Sequence, residues 1–250
     1  MSERAFADHF ASVSAGYATY RPAYPRELFA ALAGVSPSTA LAWDCGCGTG
    51  QASVALAEFF DEVDASDASA AQIAQATPHA RVTYGVVPAE ESGFPDASVS
   101  LITVAQALHW FDVDAFHVEA RRVLVPRGVI AEWTYALLQV PSCDAVTEIV
   151  REFDVEMHPY WPPERRFVDR NYIDFAFPFE PISLGDFAMH AEWSREQLLG
   201  FLGTWSAVAR CRQQTANDPL VAVAAKLAVA WVGTTTREIR WPMTLRVGRV

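Results

Sequence analysis

Basic charge is scarce in this chain of 250 residues: 19 Lys and Arg stand against 30 Asp and Glu, for a formal net charge of −11 and a pI near 4.9. A nucleic-acid partner needs a basic footprint that replaces the counterions of a phosphate backbone, and no stretch of the chain supplies one. Long apolar runs are missing too. The longest, Val221 to Val232, covers about twelve residues and carries Lys226, whereas a membrane span takes about twenty. The opening residues, Met-Ser-Glu-Arg-Ala-Phe-Ala-Asp, contain no apolar signal core, so a cytoplasmic location is expected. Cysteine is also rare. Cys45, Cys47, Cys143 and Cys211 show no metal-ligand spacing with histidines, so neither a metal site nor a redox pair is expected. The partner class left by these exclusions is the small molecule. Oligomeric state has no signature in the sequence.

What is present is a chain with 51% hydrophobic residues, enough to bury a substantial core in one domain. Its most informative stretch runs from Leu41 to Gln51, Leu-Ala-Trp-Asp-Cys-Gly-Cys-Gly-Thr-Gly-Gln. An apolar strand delivers Asp44, glycines follow at 46, 48 and 50, and Ala52 to Ala57 is helix-like in composition. A glycine-rich strand-to-helix turn lets a ligand lie against bare backbone, because a Cβ there would block the approach. The dinucleotide fingerprint G-x-G-x-x-G would require glycine at 51, where Gln51 stands. Beside a pyrophosphate the Asp44 carboxylate would be repelled, while beside an ammonium group it would be attracted. That combination points to S-adenosylmethionine, whose methionine end carries a cationic amine and whose reactive sulfur is cationic. A nicotinamide dehydrogenase is the competing class, against which Gln51 and Asp44 both weigh.

The continuation strengthens the pattern. Glu62 to Ser66 reads as a second strand ending at Asp67, 23 residues beyond Asp44, a spacing suited to an acid that binds ribose hydroxyls. Val82 to Val86 and Val99 to Val104 are strand-like, and the latter leads into Ala105-Gln106-Ala107-Leu108-His109-Trp110-Phe111-Asp112. The Gly turn, the second-strand acid, the Pro88-Ala89-Glu90 turn and the Ala-Gln-Ala-Leu-His-Trp-Phe-Asp string together resemble the class I S-adenosylmethionine-dependent methyltransferases. The likeness is greatest to the subgroup related to trans-aconitate methyltransferases and similar small-molecule enzymes. It covers roughly Phe10 to Trp133 and is weaker around Tyr160-Trp161-Pro162-Pro163 and Thr204-Trp205-Ser206.

The resemblance implies a doubly wound α/β fold: a mostly parallel seven-stranded sheet with an antiparallel last strand, plus an inserted cap. The alternation of elements agrees. Expected elements are a first helix from Tyr24 to Leu32, a helix capped by Asp112, and a fifth strand from Val129 to Trp133. Further on, a helix is expected from Ala145 to Met157, another opening at a Ser194–Gln197 capping box and running through Trp205, and a last one from Asp218 to Trp231. Alternation over Met243 to Val247 marks the final strand. The expected organisation is one methyltransferase domain over 1–250: an amino-terminal cover at 1–25, a cofactor-binding core at 26–135, a substrate cap at 159–179, and helices with final strands at 180–250.

Site roles follow the resemblance. Asp44, Gly46, Gly48 and Gly50 would form the cofactor turn, Asp67 with Ala68 would grip the ribose, and Ala89 and Glu90 would border the adenine. Relatives often carry Asp where Pro88 stands here, so the contact to the adenine amino group departs from their pattern. Gln106 lies at the strand end where open sheets bind ligands. From the amino-terminal cover, Tyr17 would add a cofactor contact and Arg21 would pair with the cofactor carboxylate. His109 is the candidate catalytic residue, with Tyr20, Trp110, Tyr160, Trp161, Arg165 and Arg166 as candidate acceptor-binding residues. Two readings of the arginines stay open: recognition of an acidic acceptor, or pairing with Glu164, Asp169 and Asp174.

The implied reaction is methyl transfer from S-adenosylmethionine, leaving S-adenosylhomocysteine, to a small molecule. A carboxylate acceptor needs no base, whereas a hydroxyl or amine would draw on His109. A protein that binds the cofactor without transfer is a further alternative.

Overall fold

The computed structural model describes residues 22–250. They form two compact units: one built from Ala23–Ala136, Glu164–Met189 and Trp241–Val250, the other including Leu137–Pro163 and His190–Arg240. The segment 159–179 expected as one cap is thus shared between them, parting after Pro163. Among the described residues no helix is long and apolar enough to cross a membrane.

The first unit carries the sheet. Its strands are β1 (Leu41–Cys45), β2 (Glu62–Asp67), β3 (Val82–Val86), β4 (Val99–Ala105), β5 (Leu124–Tyr135) and β6 (Glu180–Pro181), while β7 (Ala188–Ser194) and β8 (Thr236–Arg249) belong to it in part. Seven strands follow one path in the order β3-β2-β1-β4-β5-β8-β6, and the eighth, β7, pairs with β8 off that path. Neighbours from β3 to β5 run parallel, and β8 runs antiparallel to β5. The order reverses beside β1, which places the turn after β1 at the switch point where open sheets receive ligands.

Alternation explains the apolar runs. Ala42 and Leu101 point to one face with Leu28, Phe29 and Leu32 of α1 (Arg26–Val35), while Trp43 and Ile102 point to the other with Phe116, Ala120 and Val123 of α4 (Val113–Val123). A sheet covered on both faces buries successive side chains, so its inner strands read as continuous hydrophobic segments. Trp43, Phe116 and Trp133 are fully buried. Truncating any of them to alanine would cost about 3–5 kcal/mol. Helix α4 begins where expected, since Asp112 accepts the Ala115 N–H through its side chain at 3.3 Å. Between α1 and α4 lie two short helices, α2 (Gln51–Leu56) and α3 (Ala70–Ile73).

Strand β5 departs from the sequence reading. Pro126-Arg127-Gly128 is expected to separate helix from strand, yet β5 starts at Leu124 and passes through them, with a register shift against β4 and Arg127 in a left-handed conformation (φ 65°). An irregularity of this kind tolerates a proline that a regular inner strand would not.

Helices α5 (Asp144–Met157), α7 (Arg195–Gly203), α8 (Ser206–Thr215) and α9 (Leu220–Ala230) lie in the second unit, and α6 (Arg165–Asp169) in the first. The Ser194–Gln197 capping box is formed in full. The helix it opens does not reach Trp205, however: it stops at Gly203, and Trp205 becomes the N-cap of α8. Trp205 is instead a packing centre, stacked on Phe153 at 5.6 Å and tilted against Trp161 at 5.4 Å.

Candidate active site

The turn after β1 is built from three left-handed glycines, Gly46 (φ 71°), Gly48 (φ 57°) and Gly50 (φ 86°), a conformation that costs an L-residue about 1–2 kcal/mol. Their surroundings differ. A Cβ on Gly46 would stand 2.5 Å from the Ala107 Cβ and 3.0 Å from the Phe111 ring, and one on Gly50 would run into the Tyr84 hydroxyl. These two glycines admit close packing of protein on protein. Around Gly48 the space is open, with nothing nearer to such a Cβ than Gln72 Oε1 at 3.8 Å. This is the face on which a ligand would meet backbone.

The end of β2 fastens the turn. The Ser66 carbonyl accepts the N–H groups of Gly46 and Cys47 at 2.8 and 2.9 Å. Asp67 adds its carboxylate: Oδ2 accepts the Gly48 N–H at 2.9 Å and Oδ1 accepts the Ser69 N–H at 2.8 Å. Ala68, between them, is exposed. A second aspartate of the strand, Asp64, sits inside β2, where burial and then the neighbouring charge of Glu62 push its carboxyl up.

Asp44 lies beneath the turn and is fully buried. It accepts hydrogen bonds from the Ser53 hydroxyl at 2.5 Å and the Thr103 hydroxyl at 2.9 Å, which lock β1 to α2 and to β4. Burial outweighs these bonds and pushes the carboxyl up to about 6. The sequence reading missed Ser53 and Thr103, although each is a hydroxyl in an otherwise apolar run. Cys47 is buried in the turn, and desolvation, followed by the charges of Asp44 and Asp67, pushes its thiol well up.

The loop after β3 joins from the other side. Ala89 is buried, and Glu90 Oε1 accepts the Asp112 N–H at 2.7 Å, tying that loop to the start of α4. Beyond β4, Gln106 adopts a left-handed conformation (φ 58°) and donates its N–H to the Trp133 carbonyl at 3.0 Å. A one-turn 3₁₀ helix, Leu108–Trp110, then presents His109 and Trp110, whose rings lie 4.7 Å apart. His109 Nδ1 is 3.0 Å from the Tyr172 hydroxyl. Desolvation first and the Arg165 charge second push the imidazole down to about 3, so it stays neutral at physiological pH.

The remaining candidates fall in several places. Arg165 pairs with Asp169 at 2.7 Å, and the Arg166 guanidinium lies 4.6 Å over the Phe167 ring. Tyr160 and Trp161 belong to the second unit, where Trp161 Nε1 donates to Asp154 at 3.3 Å. Tyr17, Tyr20 and Arg21 lie outside the described residues. Sequence reasoning missed Tyr172: it comes 63 residues after His109, and nothing local to either residue signals their meeting.

With this geometry in place, comparisons with known proteins bear on it directly. The sequence profile of the family described as a methyltransferase domain matches residues 43–131, which include the glycine turn and His109. A Dictyostelium discoideum protein provisionally described as a methyltransferase is 32% identical over 233 residues, covering 92% of this chain and 88% of its own length. A Saccharomyces cerevisiae protein provisionally described as an S-adenosylmethionine-dependent methyltransferase is 28% identical over 131 residues, 49% of this chain and 45% of that one. Among solved structures, a provisionally assigned type II methyltransferase from Anaeromyxobacter dehalogenans is 46% identical, covers 92% of this chain and 98% of its own, and superposes with a TM-score of 0.85. The chain belongs to the methyltransferase family and is a class I, S-adenosylmethionine-dependent enzyme.

Proposed function

We propose that the protein holds S-adenosylmethionine over the turn from Asp44 to Gly50 and passes its methyl group to a small oxygen-bearing acceptor, with a carboxylate as the favoured class. The observation that carries the reading is the hold of Asp67 on the Gly48 N–H beside the open face of that glycine. Once bound, the cofactor supplies an electrophilic methyl on a sulfonium. The residues of the chain do the rest. A carboxylate accepts about four hydrogen bonds, so Asp67 can take ribose hydroxyls as well as the N–H groups of Gly48 and Ser69. Asp44 sets the turn and places negative charge beneath it for the cofactor ammonium. Ala89, with Glu90 anchored on Asp112, would border the adenine.

Transfer is an in-line displacement. The acceptor lone pair forms the new bond to carbon while the carbon–sulfur pair returns to sulfur, giving S-adenosylhomocysteine. Such a step depends on positioning and on exclusion of water more than on proton transfer. The neutral His109 fits an acceptor that brings its own negative charge, because an imidazole pushed this far down is a weak base. The test is a panel of small carboxylates, phenols and amines incubated with methyl-labelled S-adenosylmethionine. Labelled ester from the acids is the expected product, and label moving only to amines would contradict the acceptor class.

A further inference from the structure

The segment after α6 holds two consecutive non-glycine residues in the left-handed region, Asn171 (φ 53°) and Tyr172 (φ 59°). Each such residue costs about 1–3 kcal/mol, so the surroundings must impose it. They do so through Arg246 of β8. Its Nη1 donates to the carbonyls of Tyr172 at 2.6 Å and Phe175 at 2.9 Å, and its Nη2 donates to that of Ala176 at 3.2 Å. The guanidinium is held in turn by the fully buried Glu132, whose Oε2 lies 2.7 Å from Nη2 and whose Oε1 lies 2.6 Å from His117 Nε2. A charged clamp inside the first unit therefore fixes the backbone of Tyr172.

The consequence reaches His109. Tyr172 is 1% exposed, so its hydroxyl proton needs an acceptor inside the protein. Among the described residues that acceptor is His109 Nδ1, at 3.0 Å. A ring nitrogen that accepts a hydrogen bond carries no proton, and a neutral imidazole then carries its proton on the other nitrogen. Nε2 has no protein partner among the described residues, and it is not among the sealed, unpaired donors of the interior.

We propose that Tyr172 is a positioning residue that fixes His109 as an Nε2–H donor, and that this donor binds an oxygen of the methyl acceptor instead of removing a proton from it. The inference rests on the functional reading above and deepens it. With a carboxylate acceptor, one oxygen takes the Nε2–H while the other attacks the methyl carbon, and no proton moves. The groups facing His109 agree with this role: the Tyr172 hydroxyl, the Trp110 ring and the positive Arg165, whose own carboxylate partner is Asp169. Burial and Arg165 hold the ring neutral, so Nε2 keeps its single proton across the working range of pH.

The experiment is long-range proton–nitrogen NMR on protein labelled with ¹⁵N-histidine, with the His109 signals assigned through His109→Asn. The expected result is an Nε2–H tautomer that does not titrate between about pH 5 and 8. Tyr172→Phe keeps the ring and removes the donor. That variant should lose the tautomer preference and raise KM for the acceptor roughly fivefold, the value of one neutral hydrogen bond, with kcat changed less. A proton on Nδ1 in the unaltered protein, a titration of His109 within that window, or an unchanged tautomer in Tyr172→Phe would each overturn the proposal. S-adenosylhomocysteine calorimetry on the same samples separates the two levels: absent binding strikes the cofactor reading, while the tautomer decides the role of Tyr172.

Discussion

Asp67 accepts the Gly48 N–H at 2.9 Å, so the end of β2 holds the turn that follows β1. One carboxylate thereby shapes the turn, and on the proposed function it would also accept ribose hydroxyls. Asp67→Ala should weaken S-adenosylhomocysteine binding by about 1–3 kcal/mol, the range for hydrogen bonds to a charged group. Asp64→Ala should leave binding unchanged, since that carboxyl sits within the strand. Calorimetry on both variants checks the pair, and the reverse order of effects would move the ribose contact to Asp64.

The three glycines of the turn should respond differently to substitution. Gly46→Ala and Gly50→Ala drive a Cβ into Ala107 and Tyr84 respectively, and both should lower the melting temperature more than Gly48→Ala does. At Gly48 the added atom meets open space, so the fold loses only the about 1–2 kcal/mol of left-handed strain. Thermal denaturation of the three proteins without cofactor gives the ranking.

Asp44 predicts a pH dependence whose sign is fixed by its carboxyl being pushed up from 3.8 to about 6. Folding then favours the protonated acid, so this group's contribution is best at low pH. It declines as pH rises from near 4 and levels off above about 6. Asp44→Asn removes the buried charge while its amide still meets the Ser53 and Thr103 hydroxyls. The variant should gain up to about 3 kcal/mol over the parent above pH 6, since each tenfold change in acidity is worth about 1.36 kcal/mol, and little near pH 4. Its affinity for S-adenosylhomocysteine should fall. Denaturant melts at several pH values test the first part and calorimetry the second.

Glu132 is fully buried and Arg246 is half-buried, so removing the arginine leaves the Glu132 carboxylate with His117 as its one remaining side-chain partner among the described residues. Arg246→Met should cost about 3–5 kcal/mol, and adding Glu132→Leu should recover a large part of that loss. Chemical denaturation of the single and double variants decides it. Additive losses would show that the carbonyl clamp on Tyr172, and not the stranded charge, dominates.

Local signals carried most of what the sequence revealed. The glycine turn, the strand ending at Asp67, the Asp112 cap and the Ser194–Gln197 box each depend on residues within a few positions of one another, and each forms as read. What escaped depends on distant partners. Thr103 meets Asp44 across 59 positions, and Tyr172 meets His109 across 63. Trp205 resembles the last turn of a helix in the sequence because its spacing from Leu198 and Leu202 suits one face. The chain instead breaks after Gly203, and the indole packs against Phe153. The two arginines at 165 and 166 are equivalent to the eye in the sequence. An i,i+4 carboxylate takes Arg165 and the neighbouring ring takes Arg166.

The most direct test of the central claim is calorimetry of S-adenosylhomocysteine on the unaltered protein and on Gly48→Val. The account predicts one site per chain in the first. In the second it predicts no detectable binding from a protein that still melts cooperatively, because the valine side chain projects into the open face over the turn and the fold bears the left-handed strain. Equal affinity in the two proteins, or no binding in the first, would contradict it.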